Sequence, residues 1–330
     1  KLISTSFAPE SKNIKSVYQP TLFEKANPQF DDKKTIINGK IFTLKNDRTG
    51  DGKIDVNDLE WKYLKGDGDF RSEEIKKLRD EADVIITNPP FSLFRDFLAW
   101  IVEADKKFVI IGNMNAITYK EVFPLIQNNK MWTGSRFNKR LNGKNMTFTV
   151  PDDYTLSGTE VEMSAEGKKM VSVAGTGWFT NIDHGIRHQF LPLMTMADNI
   201  KFSKHKEVKG KEYQKYDNYD AIEIPFTDAI PSDYDGVMGV PISFLPKYNP
   251  EQFVILGATQ RGCHDNVPDT KKYDDYWEVK QNGEKTGSSG GKTNENANLE
   301  VNDGRKNYFI NKEGHIVQSA YQRIFIKHKK

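Results

Sequence analysis

The stretch from residue 83 to residue 112 constrains the fold of this chain more than any other part of its 330 residues. A compact apolar run at 83–87 is followed by Asn88-Pro89-Pro90, and apolar residues then recur at helical spacing from Phe91 to Ile101. A second apolar run follows at 108–112. Two apolar strands joined by one helix predict a parallel βαβ unit in an α/β sheet.

The composition narrows the class of protein. Hydrophobic residues make up 37% and charged residues 28% of the chain, which is typical of globular proteins, and the length allows about two domains. No apolar stretch approaches the roughly 20 residues that cross a bilayer, so we expect no membrane partner. Cys263 is the only cysteine, which excludes an internal disulfide and paired-thiolate zinc sites and favours a cytoplasmic location.

The rest of the chain predicts further elements. Ser72 is expected to cap a helix, and the run at 284–298 is too polar to pack and predicts a mobile insertion. The other predicted elements are a strand at 1–5, a hairpin at 35–44 around Asn38-Gly39, a helix at 119–127, hairpins with turns at 142–143 and 166–167, and a last strand at 320–326.

The loop after the first apolar run carries the strongest chemical signal. In open α/β sheets ligands lie at the carboxyl ends of the strands, where Asn88-Pro89-Pro90-Phe91 falls. Two prolines fix φ and remove two donors, so the loop can present hydrogen-bond acceptors. The Asn88 amide oxygen and the Pro89 carbonyl can accept from a substrate amine, and Phe91 offers a flat face for a base.

Five blocks of sequence resemble the EcoRI-type DNA adenine-N6 methyltransferases. They run in the family's order, from the acidic block around Asp69 to the block that contains Gly239. The blocks are Gly-Asp-Gly-Asp-Phe-Arg-Ser at 66–72, Thr-Asn-Pro-Pro-Phe-Ser-Leu-Phe-Arg at 87–95, Ile-Thr-Tyr-Lys-Glu-Val-Phe at 117–123, Lys-Tyr-Asp-Asn-Tyr-Asp-Ala-Ile at 215–222 and Tyr-Asp-Gly-Val-Met-Gly-Val-Pro at 234–241.

The resemblance implies a reaction and the residues that perform it. S-adenosylmethionine is the implied methyl donor, and the N6 amine of a flipped adenine in double-stranded DNA is the acceptor. Asn88, Pro89, Pro90 and Phe91 are the implied catalytic residues. Asp67, Asp69 and Phe70 are the implied cofactor-binding residues.

The same resemblance implies an α/β fold with a Rossmann-like sheet. The family has a cofactor-binding first strand upstream of the segment that matches Lys1, and we expect this strand to be absent here. Residues 1–182 are predicted to form the catalytic domain, and residues 183–330 a loop-rich α+β region that recognises the DNA target.

The basic residues are unevenly distributed, although the net charge of +2 is low for a DNA-binding protein. Between Lys130 and Lys215 there are 14 Lys or Arg against 9 Asp or Glu. We predict DNA contacts by four residues of this span, Arg187, His188, Lys204 and Lys206. A solvated surface is the alternative.

One further motif resembles a calcium loop. Residues 47–58 place oxygen-bearing side chains at positions 1, 3, 5, 9 and 12 and glycine at position 6 of a twelve-residue loop. Because position 12 is the short Asp58 and no helix precedes Asp47, a polar hairpin tip is favoured, and we predict no metal site.

Alternative functions remain open at this point. Loops of the Asn-Pro-Pro-aromatic type also serve enzymes that methylate an RNA guanine or a protein glutamine. A DNA-binding relative without cofactor activity is a third reading. A partner restriction endonuclease is expected if the chain modifies DNA sites.

Overall fold

The computed structural model describes residues 1–8, 22–135, 147–155, 161–172, 175–259, 267, 269–302, 307–320 and 322–329. The strands are β1 (Leu2–Ser6), β2 (Lys40–Leu44), β3 (Glu60–Tyr63), β4 (Val84–Thr87), β5 (Lys107–Asn113), β6 (Trp132–Thr133), β7 (Thr147–Thr149), β8 (Val161–Met163), β9 (Lys169–Ser172), β10 (Thr176–Thr180), β11 (Ile222–Glu223), β12 (Met238–Pro241), β13 (Phe253–Ala258), β14 (Trp277–Val279), β15 (Lys285–Ser289), β16 (Asn298–Glu300), β17 (Tyr308–Ile310), β18 (Ile316–Ser319) and β19 (Arg323–His328). The α-helices are α1 (Leu22–Lys25), α2 (Asp32–Ile37), α3 (Glu73–Glu81), α4 (Phe94–Glu103), α5 (Phe123–Gln127) and α6 (Met196–Phe202).

The chain divides into two compact units. The first comprises 1–85 and 96–106, and the second comprises 86–95 and 107–330. The first unit contains the antiparallel sheet β1-β2-β3 and helices α1, α2 and α3. Its buried side chains include Trp61, Phe70 and Leu98. The predicted functional division at residues 182 and 183 stays a prediction.

The second unit contains β5, β10, β6 and the last two residues of β4, which belong to the four-stranded sheet β4-β5-β10-β6. The predicted strand, helix and strand are confirmed as β4, α4 and β5, and β4 and β5 are neighbours in this sheet. Strand β10 runs antiparallel to both β5 and β6. Three further sheets complete the unit, in the orders β7-β9-β8, β11-β12-β19-β13 and β15-β14-β17-β18-β16.

The predicted hairpin at 35–44 is wrong, because the first half of this segment is helix α2. Asp31 caps α2 by accepting from the backbone N–H groups of Lys33 and Lys34, each at 3.0 Å. Asn38-Gly39 is a helix-to-strand junction, in which Asn38 Nδ2 donates to the carbonyl of Leu64 at 3.0 Å. A Cβ at Gly39 would lie 2.7 Å from the backbone oxygen of Ser6. Local capping and tight packing therefore override the Asn-Gly signal.

The segment 284–298 is also folded, so the prediction that it is too polar to pack is wrong. It contains β15, a 3₁₀ turn at Gly290–Thr293 and the start of β16. Thr293 and Asn298 are fully buried, and Thr293 Oγ1 donates to Asn298 Oδ1 at 2.8 Å. The backbone N–H of Asn298 donates to Asn218 Oδ1 at 2.9 Å. Polar groups that satisfy one another can be buried at little cost.

Other predicted elements lie close to their expected places. The helix capped by Ser72 is α3, the first strand is β1 and the last strand is β19. The helix predicted at 119–127 is confirmed only over α5, where Pro124 stands in the first turn. The turn at 166–167 joins β8 to β9, whereas the turn at 142–143 lies outside the described residues. No helix in the described ranges is long and apolar enough to cross a membrane.

Candidate active site

The loop Asn88–Phe91 leaves the carboxyl end of β4 and is mostly open to solvent. Asn88 and Pro90 are exposed, Pro89 is buried, and the Phe91 side chain is 45% exposed. The Pro90 carbonyl accepts from the Leu93 N–H at 2.8 Å, which closes the 3₁₀ turn Phe91–Leu93 ahead of α4. Within the described part of the chain, neither the Asn88 amide nor the Pro89 carbonyl has a hydrogen-bond partner. The loop therefore holds an exposed amide at Asn88, a carbonyl without a protein partner at the buried Pro89, and an exposed aromatic ring at Phe91.

The residues that follow Phe91 anchor this loop. Phe94 is fully buried, and its ring centroid lies 5.4 Å from that of Phe179 on β10. A side chain at Gly112 would collide with the Phe94 ring, so the glycine on β5 is required by this packing. Arg95 stacks over the ring of Tyr119, with its guanidinium carbon 5.8 Å from the centroid. The buried ring and the stacked guanidinium fix the start of α4, and the exposed loop is held by that start.

The acidic block at 66–72 is a turn in the first unit that ends at the cap of α3. Gly68 has φ +88°, and the Asp67 carboxylate accepts from the Asp69 N–H at 3.0 Å. Asp69 Oδ1 accepts from the Arg71 N–H at 2.7 Å, and Asp69 Oδ2 lies 3.6 Å from Arg71 Nη1. The two carboxylates therefore hold the shape of the turn, and among the described residues the polar contact of Asp69 Oδ2 is its ion pair with Arg71.

Phe70 in the same block is a core residue. Its ring is 6% exposed and stacks on Phe97 with the centroids 4.0 Å apart. The Arg71 guanidinium carbon lies 4.5 Å from the same ring centroid. The ring thus has little free surface to offer a ligand, and its visible role is to anchor the turn that carries Asp67 and Asp69.

Two of the predicted DNA contacts, Arg187 and His188, are already engaged within the protein. The Arg187 side chain is 10% exposed, lies 3.8 Å from the Trp132 ring centroid and donates to Asn129 Oδ1 at 2.6 Å. His188 bonds Glu251 through Nδ1 and Asp183 through Nε2, each at 2.8 Å. Hydrogen bonds to these two carboxylates, first Asp183 and then Glu251, raise the pKa of His188.

The two predicted lysines differ from each other. Lys204 pairs with Asp228 at 2.8 Å, whereas Lys206 is exposed on the same turn. Sequence reasoning could not foresee the pairing of Lys204, because Asp228 is 24 positions away along the chain.

A small pocket beside Arg187 was not predicted. Its walls include Trp132, His184, Arg187 and Tyr248. His184 Nε2 lies 3.1 Å from the Thr133 carbonyl, while His184 Nδ1 and Arg187 Nε are buried without a partner among the described residues. Of these wall residues the sequence indicated Arg187; it held no signal for Trp132 or Tyr248, because the chain brings them in from remote segments.

The calcium-like loop uses its acidic side chains internally. Asp47 accepts from the N–H groups of Gly50 and Gly52 at 2.6 and 2.8 Å, and Asp58 accepts from Arg48 N–H at 2.7 Å. Hydrogen bonds from Gly52 and Gly50 lower the pKa of Asp47, and bonds from Arg48, Asp55 and Thr49 lower that of Asp58. These bonds support the interpretation of the loop as a polar turn.

One group of residues in the described ranges has the spacing of a metal site, namely Asp217, Glu300 and His315. His315 Nε2 lies 3.6 Å from an Asp217 oxygen and 3.7 Å from a Glu300 oxygen. The ammonium of Lys271, 3.1 Å from Asp217, already supplies a positive charge at this place. We therefore assign no ion to it.

Comparisons with known proteins identify the family. The sequence model of the adenine-specific methyltransferase EcoRI family matches residues 1–329. Type II methyltransferase M.EcoRI of Escherichia coli is 46% identical over 206 residues, which are 62% of this chain and 59% of that protein. Type II methyltransferase M.MpnI of Mycoplasma pneumoniae is 33% identical over 195 residues, or 58% of this chain and 57% of that protein.

A third curated relative agrees with these two. Type II methyltransferase M.MgeORF184P of Mycoplasma genitalium is 37% identical over 205 residues, or 62% of this chain and 60% of that protein. The chain thus spans about three fifths of the length of the curated relatives it matches. No solved structure matches it. The match over residues 1–329 shows that the chain belongs to the EcoRI-type family of adenine-specific methyltransferases.

Proposed function

We propose that this protein transfers a methyl group from S-adenosylmethionine to N6 of an adenine in double-stranded DNA. One observation carries the proposal: the Asn88 amide and the Pro89 carbonyl stand without partners, among the described residues, beside the half-exposed ring of Phe91. A planar amine with two hydrogens above a π surface is the group that this arrangement fits. The membership of the chain in an adenine-specific family supports adenine as that group.

The chemistry follows from the amine. The lone pair of adenine N6 is delocalised into the ring and is a weak nucleophile. Acceptors at Asn88 and Pro89 favour a more tetrahedral nitrogen, whose lone pair can point at the methyl group of the cofactor. Bound S-adenosylmethionine would supply the methyl group: the N–C bond would form as the S–C bond breaks, the bonding pair would stay on sulfur, and positioning and electrostatics would supply the catalysis. The methylated nitrogen would then release one proton to solvent, so no residue need remove it beforehand.

Phe91 is proposed to receive the target base. Extrusion of a base from a duplex costs a few kcal/mol. Stacking on an aromatic side chain can return about 1–3 kcal/mol of that cost. The exposure of Phe91 leaves its ring available for such a contact, whereas the fixed start of α4 limits the movement of its backbone.

The cofactor is proposed to bind Asp67 and Asp69, with Phe70 as a buried support. An ionised carboxylate accepts hydrogen bonds only, which suits the adenine amine or a ribose hydroxyl of S-adenosylmethionine. Asp69 Oδ1 is used by the Arg71 N–H, so Oδ2 is the oxygen proposed to meet the cofactor. We infer further that β4-β5-β10-β6 belongs to a Rossmann-like sheet, which the strand-helix-strand order and the loop at the end of β4 support.

DNA is the proposed substrate, and the region from residue 183 onward is proposed to recognise its sequence. Because Arg187 and His188 are engaged within the protein, we propose that they shape this surface and that Lys206 contacts phosphates. The names of the three curated relatives, all type II methyltransferases, favour a site-specific modification enzyme. A partner endonuclease stays a prediction.

Methyl transfer from labelled S-adenosylmethionine to a bacterial DNA substrate tests the proposal. We expect Asn88→Ala to lower kcat by about 100-fold or more, as when a transition-state hydrogen bond is lost. Ser92→Ala, an exposed neighbour, is the matched control and should keep wild-type activity. An Asn88→Ala protein that methylates at nearly the wild-type rate would contradict the mechanism. Mass analysis of the product distinguishes N6-methyladenine from methylguanine in RNA and methylglutamine in protein.

A further inference from the structure

The turn that follows α6 is held rigidly and carries a dense positive charge. Val208 and Ser203 are buried, and the Gly210 N–H donates to the carbonyl of Ile200 at 2.8 Å, which folds the turn back onto the end of α6. His205 stacks on Phe226 with the ring centroids 3.7 Å apart and bonds Asp228 at 2.9 Å. These contacts fix the backbone from which the neighbouring lysines project.

The charge of this turn stands apart from that of the whole chain. Residues 201–211 contain five exposed lysines, Lys201, Lys204, Lys206, Lys209 and Lys211, against the single acid Glu207. They carry a net charge of +4, whereas the whole chain carries +2, so the remaining residues sum to −2. Asp228 neutralises Lys204 and leaves four lysines to face solvent.

An exposed aromatic ring lies among these lysines. Phe202, the last residue of α6, is 60% exposed, and Lys201 Nζ lies 4.9 Å from its ring centroid. Water solvates an exposed phenyl ring poorly, so its place within a basic surface favours a ligand with both anionic groups and apolar faces. Nucleic acid offers phosphates beside sugars and bases.

We propose that this surface, called the lysine turn and defined as Lys201, Phe202, Lys206, Lys209 and Lys211, is a docking site for double-stranded DNA. The four lysines contact phosphates and Phe202 packs on a sugar or a base edge. This inference rests on the proposed function, because it assigns a docking surface to the DNA that the proposed function names as substrate. An anionic membrane is disfavoured, since α6 has seven residues and one exposed ring at its end rather than the long apolar face of a membrane-surface helix.

Binding of a fluorescent DNA duplex, measured by anisotropy at several NaCl concentrations without cofactor, tests the charge. Each lost phosphate contact should reduce the slope of log K against log salt by about 0.9. We expect the triple variant Lys206→Gln, Lys209→Gln, Lys211→Gln to have a slope that is smaller by about 2–3 and a matching loss of affinity. The control triple variant Lys33→Gln, Lys53→Gln, Lys62→Gln removes three exposed charges from residues outside the proposed recognition region and should keep the wild-type slope.

The aromatic contact has a separate readout. Phe202→Ala should weaken DNA binding about tenfold without a change in salt slope, because the lost contact is not ionic. Phe148→Ala, which removes a ring that is 51% exposed on β7, should leave the affinity unchanged. Circular dichroism and thermal melting of each variant confirm that the fold is retained.

Three results would overturn the inference: a triple variant with the wild-type slope, equal losses in both triple variants, or wild-type protein that binds anionic vesicles and not DNA. Failure of the methylation mechanism is a separate outcome. Asn88→Ala tests that mechanism and should keep the wild-type salt slope, because Asn88 is not part of the lysine turn. If the lysine triple variant shows the expected smaller salt slope while Asn88→Ala methylates DNA at the wild-type rate, DNA docking at the lysine turn is supported and only the assigned chemistry is refuted.

Discussion

Arg323 and Glu223 form a buried bidentate ion pair that joins β19 to β11. Arg323 Nε and Nη2 lie 2.9 and 2.6 Å from the two Glu223 oxygens, and both side chains are 10% exposed. The hydroxyl of Tyr216 donates to the same carboxylate. Burial and the adjacent negative charge of Glu223 raise the pKa of Tyr216, so the phenol stays a donor. The network leaves the Glu223 charge fully compensated.

Removal of Arg323 alone should therefore lower the stability of the fold. We expect Arg323→Met to lower the free energy of unfolding by about 3–5 kcal/mol, because the Glu223 charge would remain buried without a cation. The double variant Glu223→Met, Arg323→Met should recover much of that loss. Urea denaturation of the wild type, both single variants and the double variant gives the coupling energy. A loss below about 1 kcal/mol in Arg323→Met would show that the pair contributes little.

Individual residues show which roles a sequence can predict. The Asn88 loop was foreseeable, because two prolines fix their own backbone and directly follow an apolar run. The engagement of Arg187 within the protein was not foreseeable, because its stacking on Trp132 and its hydrogen bond to Asn129 depend on segments more than 50 residues away. The availability of a charged side chain is set by tertiary partners, whereas the stiffness of a loop is set locally.

At the scale of elements, His188 connects the segment after β10 to the turn before β13. Both of its ring nitrogens face carboxylates, Asp183 and Glu251, so the doubly protonated ring satisfies both contacts. Beside it, Gln252 donates to the Leu191 carbonyl at 3.0 Å and accepts from the Leu191 N–H at 2.8 Å. The connection therefore has one ionic part and one neutral part.

The stabilisation that His188 provides through Asp183 and Glu251 should depend on pH. The folded state raises the pKa of His188, so its stabilising contribution is complete below the unfolded value of about 6.5 and is lost as pH rises through the folded value. We expect wild type to melt above His188→Gln at pH 5.5, with the difference shrinking by pH 8.5. Thermal melts across this range measure the difference, and an NMR titration of His188 measures its pKa. A difference that does not change with pH would contradict the assignment.

The elements that the sequence predicted well are those with their own signals. Ser72 and the following glutamates predict α3, and the two apolar runs predict β4 and β5. The two failures at 35–44 and 284–298 share a cause. In each, a hydrogen bond that involves a side chain joins the segment to a distant one, from Asn38 to Leu64 in one case and between Asn298 and Asn218 in the other; in the first case the Asp31 cap adds a local contribution. Periodicity and polarity cannot report such pairings.

At the scale of the whole molecule, the low net charge hides an uneven distribution of positive and negative residues. The net charge of +2 combines the lysine turn, at +4, with a remainder of −2. The acidic turn at 66–72 lies in the first unit and the lysine turn in the second. A low total charge is therefore compatible with DNA binding, since a duplex is attracted by the local field of the surface that it meets.

Stabilisation of the whole chain by S-adenosylmethionine tests whether the acidic turn binds the cofactor. A ligand that binds only the folded state at 100 times its Kd adds about 2.7 kcal/mol to the free energy of unfolding, and the melting temperature should rise accordingly. Asp69→Asn keeps an acceptor for the Arg71 N–H but puts an amide NH₂ in place of Oδ2, where it would oppose the donor groups of the cofactor. We expect this variant to lose most of the thermal shift and Asp51→Asn, on an exposed loop, to keep it. No shift in the wild type, together with normal DNA binding, would favour a protein that occupies DNA without using the cofactor.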